Sequence, residues 1–366
     1  MNYDFLNFKR EQKLKDELKI DDHKLNYHPD RVSSWMKGEN IYPIYIELGI
    51  SSICNHRCIF CALDYIGYKG KLLDTKVILD AIDDMSKNGV KSIMFSGEGE
   101  PTLHKDFSLI VEYAKKKKKI DVALTTNGIP FKKKIAESTL QYLSWVKFSI
   151  DAGTKETYVK IHRTDPNDFE KLMINIKDAV ELKKKKKMSV KIGTQLLLIE
   201  ENMHEAIILA KKMKEVGADY LIIKPYSQHP DSLHKFKIDY EKFKDIQKLE
   251  ELNSDSFNVY LRSETINKLK GRKNPYDVCH GLPFFCIIDA EGNVVPCHIF
   301  HGKKEYYYGN LYKNTFSEIW NSERRKKVLE RIYKEGTVNC RENCRLDSIN
   351  RYLHSLKNPI EHVNFI

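Results

Sequence analysis

Ile44-Tyr-Ile-Glu-Leu48, then Gly49-Ile-Ser-Ser-Ile53, then Cys54-Asn-His-Arg-Cys58-Ile-Phe-Cys61 is the stretch from which the rest of the chain can be read. The first five residues predict a short apolar strand. The cysteines follow at once, so they stand on the loop at that strand's C-terminal end. Downstream, further strands are expected at Ser92–Phe95, Asp121–Leu124, Val146–Ile150, Val190–Leu197 and Tyr220–Ile223. Amphipathic helices separate them. One begins near Asp74, with Val77, Ile78, Ala81, Ile82 and Met85 on one face and Gly89 as its stop. Another carries Ala206, Leu209, Ala210, Met213 and Val216, then Gly217. This alternation predicts an α/β fold: a parallel sheet with right-handed crossovers, curled into a partial, six-unit TIM-like barrel. Such barrels place reacting groups at the C-terminal ends of their strands.

The 366 residues divide by character. A polar cap spans 1–41, the partial barrel 42–235, a charged, helix-rich connector 236–278, a distinct C-terminal unit 279–345, and a helical tail 346–366. Phe285–Asp289 and Val294–Cys297, joined by Ala-Glu-Gly-Asn, predict a hairpin in the C-terminal unit. No apolar run is long enough to span a bilayer, and the charged N-terminus lacks a signal-peptide pattern, so a cytoplasmic protein with no membrane partner is expected. The formal charge is +11. Much of it comes from Lys115–Lys119 and Lys183–Lys187, each at the end of a predicted helix, where lysines complement the helix dipole. No aromatics interleave these runs, which argues against nucleic acid.

Eight cysteines fall into two groups: Cys54, Cys58 and Cys61, then Cys279, Cys286, Cys297, Cys340 and Cys344. In a cytosolic chain such clustering suggests metal binding rather than disulfides. Three thiolates can ligate three irons of a cubane cluster and leave the fourth open to chelation, whereas closed clusters take four cysteines. Zinc is the competing reading. It usually takes four Cys/His ligands, and His56 completes such a set only awkwardly.

The C-x3-C-x2-C spacing, with aromatic Phe60 just before the last cysteine, resembles the radical S-adenosylmethionine (SAM) superfamily. The resemblance implies a [4Fe–4S] cluster on Cys54, Cys58 and Cys61, with SAM on its open iron and Phe60 against the adenine. Ser96-Gly97-Glu98-Gly99-Glu100-Pro101 is similar to the family's glycine/glutamate motif, which binds the cofactor's amino group. With one residue more than the common form, it leaves open whether Glu98 or Glu100 makes that contact. Glycine there lets backbone approach a ligand closely. Thr126, Asn127, Ser149 and Asp151 match family positions near the ribose or the methionine carboxylate. Arg163 lies where many members keep an arginine for that carboxylate. Gln195 and Lys224 are placed to line the pocket. The implied chemistry is reductive cleavage of SAM to a 5′-deoxyadenosyl radical that takes hydrogen from a substrate. An electron donor such as flavodoxin or ferredoxin is implied with it.

The second group resembles the C-terminal extensions called SPASM and twitch. That implies one auxiliary [4Fe–4S] cluster on Cys279, Cys297, Cys340 and Cys344. Cys286 is left over. It reads either as a packed thiol beside Phe284 and Phe285, or as a replacement ligand or catalytic hydrogen-atom donor. A fully ligated auxiliary cluster points to electron transfer. The expected reaction is therefore oxidoreductase or epimerase chemistry on a small molecule, a sugar or aminocyclitol. The alternative is a peptide- or protein-modifying maturase. A non-catalytic metal or RNA-binding protein would explain the cysteines and charge, but not the Gly97–Pro101 turn or the strand-end polar residues. Tyr65, Tyr68, Tyr226, His229, His298, His301 and Asp347 are further candidates near substrate or cluster.

Overall fold

The computed structural model describes residues 22–243, 246–269 and 273–365. Of the expected cap, residues 1–21 lie outside the described residues. The remainder holds a helix, Pro29–Met36, opened by Pro at its first position with Asp30 in the first turn. Val32 and Trp35 on its inner face pack with Ile44, Phe284 and Leu353 in a small satellite core.

The strands form one ten-stranded sheet in the order β10-β9-β8-β1-β2-β3-β4-β5-β6-β7. They are β1 Tyr45–Leu48, β2 Ser92–Phe95, β3 Asp121–Thr126, β4 Trp145–Ser149, β5 Lys191–Leu198, β6 Tyr220–Pro225, β7 Asn258–Leu261, β8 Phe285–Ile288, β9 Asn293–Val295 and β10 Gly309–Asn310. Neighbours from β1 to β7 pair in parallel. The six expected strands are all present. β7 is an addition: it pairs with β6 from within the stretch expected to be a helical connector. Its Asn-Val-Tyr-Leu run is too short, and its surroundings too charged, to announce a strand.

The C-terminal unit is built into the same sheet. β8 lies parallel to β1, pairing Tyr45 with Phe285, Ile46 with Cys286, Glu47 with Ile287 and Leu48 with Ile288. β9 and β10 then run antiparallel, and the expected hairpin is β8–β9. Its turn holds Gly292 at φ +78°, and the Asp289 carboxylate accepts from the Glu291 and Asn293 backbone N–H groups.

Side chains alternate across a strand, so the register assigns each residue a face. Ile288, Leu48, Phe95, Leu124, Val146 and Ile192 form one fully buried row. The helix Thr75–Lys87 contributes Ile78, Ala81, Ile82 and Met85 to the same core. Tyr45, Glu47, Met94, Thr125, Lys147, Ser149, Gln195, Leu197, Lys224, Phe285 and Ile287 share the opposite face. That face carries the polar and charged groups.

Both lysine runs end helical segments ahead of β3 and β5, and acids meet them: Lys115–Asp121 at 2.6 Å, Lys116–Glu112 at 3.0 Å and Lys118–Asp83 at 2.9 Å. Among the described residues, no helix is long and apolar enough to cross a membrane.

Candidate active site

The loop 54–61 is pinned from behind. Arg57 N–H donates to the His162 carbonyl at 3.0 Å, and Ile59 N–H to that of Ile161 at 2.9 Å. Both carbonyls belong to the end of the helix Lys155–His162. Cys54, Cys58 and Cys61 are free thiols. Burial raises all three, and neighbouring cysteines add to the rise at Cys54 and Cys58. Three crowded, unbridged thiols on one loop form a donor set suited to a soft metal centre.

His162 is the residue that sequence reading passed over. Its Nδ1 lies 3.1 Å from Cys58 Sγ, and its Nε2 lies 3.0 Å from the Ile150 carbonyl. A carbonyl only accepts, so Nε2 carries the proton and Nδ1 faces the sulfur as an acceptor. Burial pushes His162 down to about 3, which keeps the ring neutral. Arg163, singled out instead, is exposed at the helix end with φ +48°. Phe60 stands edge-on to His162 at 5.3 Å between ring centroids. His56, Cys58 and His162 present ligand-capable atoms within 4.8 Å of one another, and His56 Nε2 lies 3.6 Å from Asp168.

The two glutamates of the Gly97–Glu100 loop part company. Glu100 is buried and accepts from Thr102 N–H and hydroxyl, from the Thr126 hydroxyl at 2.7 Å and from Asn127 N–H at 2.7 Å. It braces the loop against the end of β3. Glu98 turns the other way, accepting from Ala290 N–H at 3.2 Å and lying 3.3 Å from His301 Nε2. It ties the loop to the β8–β9 hairpin. The glycines are accounted for by backbone meeting backbone. A Cβ on Gly97, at φ +123°, would lie 2.8 Å from Gly49 Cα. A Cβ on Gly99 would strike the Ser51 and Ile53 carbonyls, whose chain leads into the cysteine loop. Gly99→Ala is therefore expected to cost about 3 kcal/mol, at the upper end for overpacking. Denaturant unfolding of the purified variant measures it.

Successive strand ends add polar groups. Asn127 reaches Asn55 at 2.8 Å and comes within 4.0 Å of Cys54 Sγ. Ser149 pairs in register with Gln195, whose buried side-chain oxygen has no hydrogen-bond partner among the described residues. Asp151 is fully buried at φ +54° and accepts from Leu197 N–H at 2.7 Å. Burial pushes its carboxyl up to about 7, against the pull of Lys224 and Lys147.

The second group gathers too. Burial raises Cys279, Cys297, Cys340 and Cys344. Cys297 feels the other three, and Cys344 feels Cys279 and Cys340. Cys286 does not join them. It pairs with Ile46 on the helix-covered face, is fully buried, and has Arg325 as its charged neighbour. Register turns its thiol away from the polar face, the placement of the packed-thiol reading of Cys286 rather than of a hydrogen donor or replacement ligand.

A cavity of about 180 Å³ lies between the two cysteine groups. Phe60 and Ala62 reach it from one side and Cys297, Cys340 and Cys344 from the other, with Leu197, Lys224 and Phe285 from the sheet. Tyr226 and His298 line it as well. Glu47, buried on β1, holds His298 at 2.6 Å and also contacts Arg345. Other candidates serve as braces. The Tyr65 hydroxyl donates to the His301 carbonyl at 2.9 Å, and its ring stacks on His229 at 4.8 Å. Tyr68 lies beneath the Arg57 guanidinium at 3.8 Å. Asp347 is tied up by Lys268, Tyr276 and Arg351.

Comparison with known proteins agrees with this geometry. Residues 48–213 match the radical SAM superfamily, and residues 279–345 match the SPASM iron–sulfur cluster-binding domain. A probable GTP 3′,8-cyclase of Saccharolobus solfataricus is 25% identical over 67% of this chain and 73% of its own length. A tungsten-containing aldehyde ferredoxin oxidoreductase cofactor-modifying protein of Pyrococcus furiosus is 26% identical over 76% of this chain and 81% of its own. Among solved structures, Streptococcus suis SuiB bound to its precursor peptide SuiA superposes with a TM-score of 0.64 at 18% identity, covering 90% of this chain and 77% of that one. The protein anSMEcpe with bound AdoMet gives 0.57 at 20% identity, covering 86% and 95%. These superpositions speak to the fold. The expected sugar or aminocyclitol oxidation has no counterpart among these relatives. The matched domains imply a [4Fe–4S] cluster, SAM and an auxiliary cluster, and two separate sets of free, crowded thiols fit that complement. With its barrel and its C-terminal domain both matched, the chain belongs to the radical SAM superfamily and carries a SPASM iron–sulfur domain.

Proposed function

We propose that this chain modifies a residue of a peptide or protein substrate by radical SAM chemistry, with that residue held in the cavity between the two cysteine groups. The cavity carries the reading. At about 180 Å³ it falls below the volumes usual for pockets that enclose a whole drug-sized ligand. It suits one side chain whose polypeptide remains outside. Supporting this, the likeness to SuiB with its precursor peptide covers 90% of the chain. The sequence match to the GTP cyclase covers 67%.

Under this proposal Cys54, Cys58 and Cys61 hold the SAM-binding cluster, and Cys279, Cys297, Cys340 and Cys344 the auxiliary one. When bound, the cluster and SAM supply hydrogen-atom abstraction. The chain's own part is to place and shield. Phe60 walls the cavity, and His162 orients Cys58. Glu100 and Glu98 fix the glycine loop to β3 and to the hairpin. The apolar walls from Leu197, Pro225, Ile299 and Leu346 exclude water from the reacting position.

The test is anaerobically reconstituted full-length protein with SAM, dithionite and a random-sequence peptide library. Peptides should raise 5′-deoxyadenosine above the peptide-free level, and mass spectrometry should find altered peptides. GTP raising it while peptides do not would overturn the reading in favour of a cyclase.

A further inference from the structure

The cavity collects positive charge from separate parts of the chain. Lys224 stands near the end of β6, and Arg262 follows β7. Arg341 and Arg345 come from the segment bearing Cys340 and Cys344. All four line the cavity. Lys147 shares the sheet face with Lys224, and the two repel each other. Among the described residues, Glu47 meets Arg345 and His298, and Asp151 attracts Lys224. Asp151 is pushed up to about 7 and so gives up much of its charge near neutrality. Burial first, then Lys147, Arg262 and Arg341, push Lys224 down to about 7, so its ammonium is only part-charged near neutrality and an anion placed beside it would restore the charge.

Arg341 is the most telling member. Its Nε and one terminal nitrogen are buried and find no hydrogen-bond acceptor among the described residues. Arg341 is half-buried overall, but sheltered guanidinium nitrogens without acceptors are costly, and the planar fork they form matches a carboxylate. We propose that the cavity recognises a carboxylate carried by the substrate, with Arg341 as its forked partner and Lys224 as the second cation. This deepens the peptide reading and rests on it: the residue modified, or its immediate neighbour, is acidic. It also explains why so many cations converge on apolar walls, where an ion is held strongly only when it is paired.

The test uses the full chain, reconstituted anaerobically with iron and sulfide, with SAM present. The probes are N-acetyl-glutamate α-amide, its glutamine counterpart and inorganic phosphate, with affinities from calorimetry. The glutamate probe should bind at least about tenfold more tightly than the glutamine probe, the worth of a charged hydrogen-bonded pair. In Arg341→Gln that ratio should fall to about one, and Arg341→Lys should keep part of it. Lys224→Gln, on a different element, should also lower it. Equal binding of the two amino-acid probes would overturn the proposal. Tighter binding of phosphate would overturn it in favour of a phosphate ester. So would an Arg341→Gln protein that loses iron but keeps its selectivity, which would assign the guanidinium to the cluster. If the glutamate probe binds selectively but no library peptide is modified, the peptide reading fails and the carboxylate site stands.

Discussion

Cys58→Ala protein is expected to form no detectable 5′-deoxyadenosine from SAM under reducing conditions. The argument is local. Cys54, Cys58 and Cys61 sit on one loop, and Cys58 lies against a buried, neutral His162 whose other nitrogen is held by the Ile150 carbonyl. No other cysteine stands ready to replace it, because Cys286 faces the opposite side of the sheet. The iron content of the variant should fall to the C-terminal complement, about four atoms per chain for one cubane. Cys286→Ala should leave iron content unchanged, which separates a ligand from a packed thiol. Colorimetric iron and chromatographic nucleoside assays on the same samples decide it. Full activity in Cys58→Ala would remove the N-terminal trio from the chemistry.

The second large effect falls on stability. Glu205 is buried, and its carboxylate accepts from Gly153 N–H at 2.7 Å, Thr154 N–H at 3.0 Å, the Thr154 hydroxyl at 2.7 Å and the Thr157 hydroxyl at 2.6 Å. These hydrogen bonds hold its carboxyl below the usual range, although burial opposes them. Glu205→Ala strands two backbone donors, so a loss of about 3–5 kcal/mol is expected. Glu205→Gln keeps an acceptor and should lose less. The carboxylate holds the turn that leads into the helix whose other end supplies His162 and the carbonyls pinning the cysteine loop. Reconstitution of the N-terminal cluster should therefore suffer along with the unfolding midpoint. A variant that unfolds like the parent would show that this network adds nothing.

Much of this molecule could be read from the chain, and the exceptions share a cause. Strands β1 to β6 and the β8–β9 hairpin betray themselves through local apolar runs and turn residues. Both cysteine groups show through spacing. What spacing does not carry is direction. Glu98 and Glu100 look alike in a string, yet one turns to the hairpin and the other to β3. Cys286 could be read in a string as packed or as available, and only its pairing with Ile46 gives it a face. His162 was passed over for its neighbour Arg163 because the left-handed turn that parts them is a tertiary fact. The carbohydrate expectation has less support than its peptide alternative for a different reason: it came from counting cysteines, and the number of thiolates does not describe the cavity that substrate enters.

The parallel pairing of β8 with β1 bears on how this protein could be dissected. The iron–sulfur extension is laminated into the barrel rather than tethered to it. A chain cut before residue 279 would strip β1 of one neighbour and leave a naked row of amide and carbonyl groups, the kind of seam along which proteins aggregate. The two halves are thus poor candidates for separate expression or for exchange with foreign modules, and an investigator who wants one of them must take both.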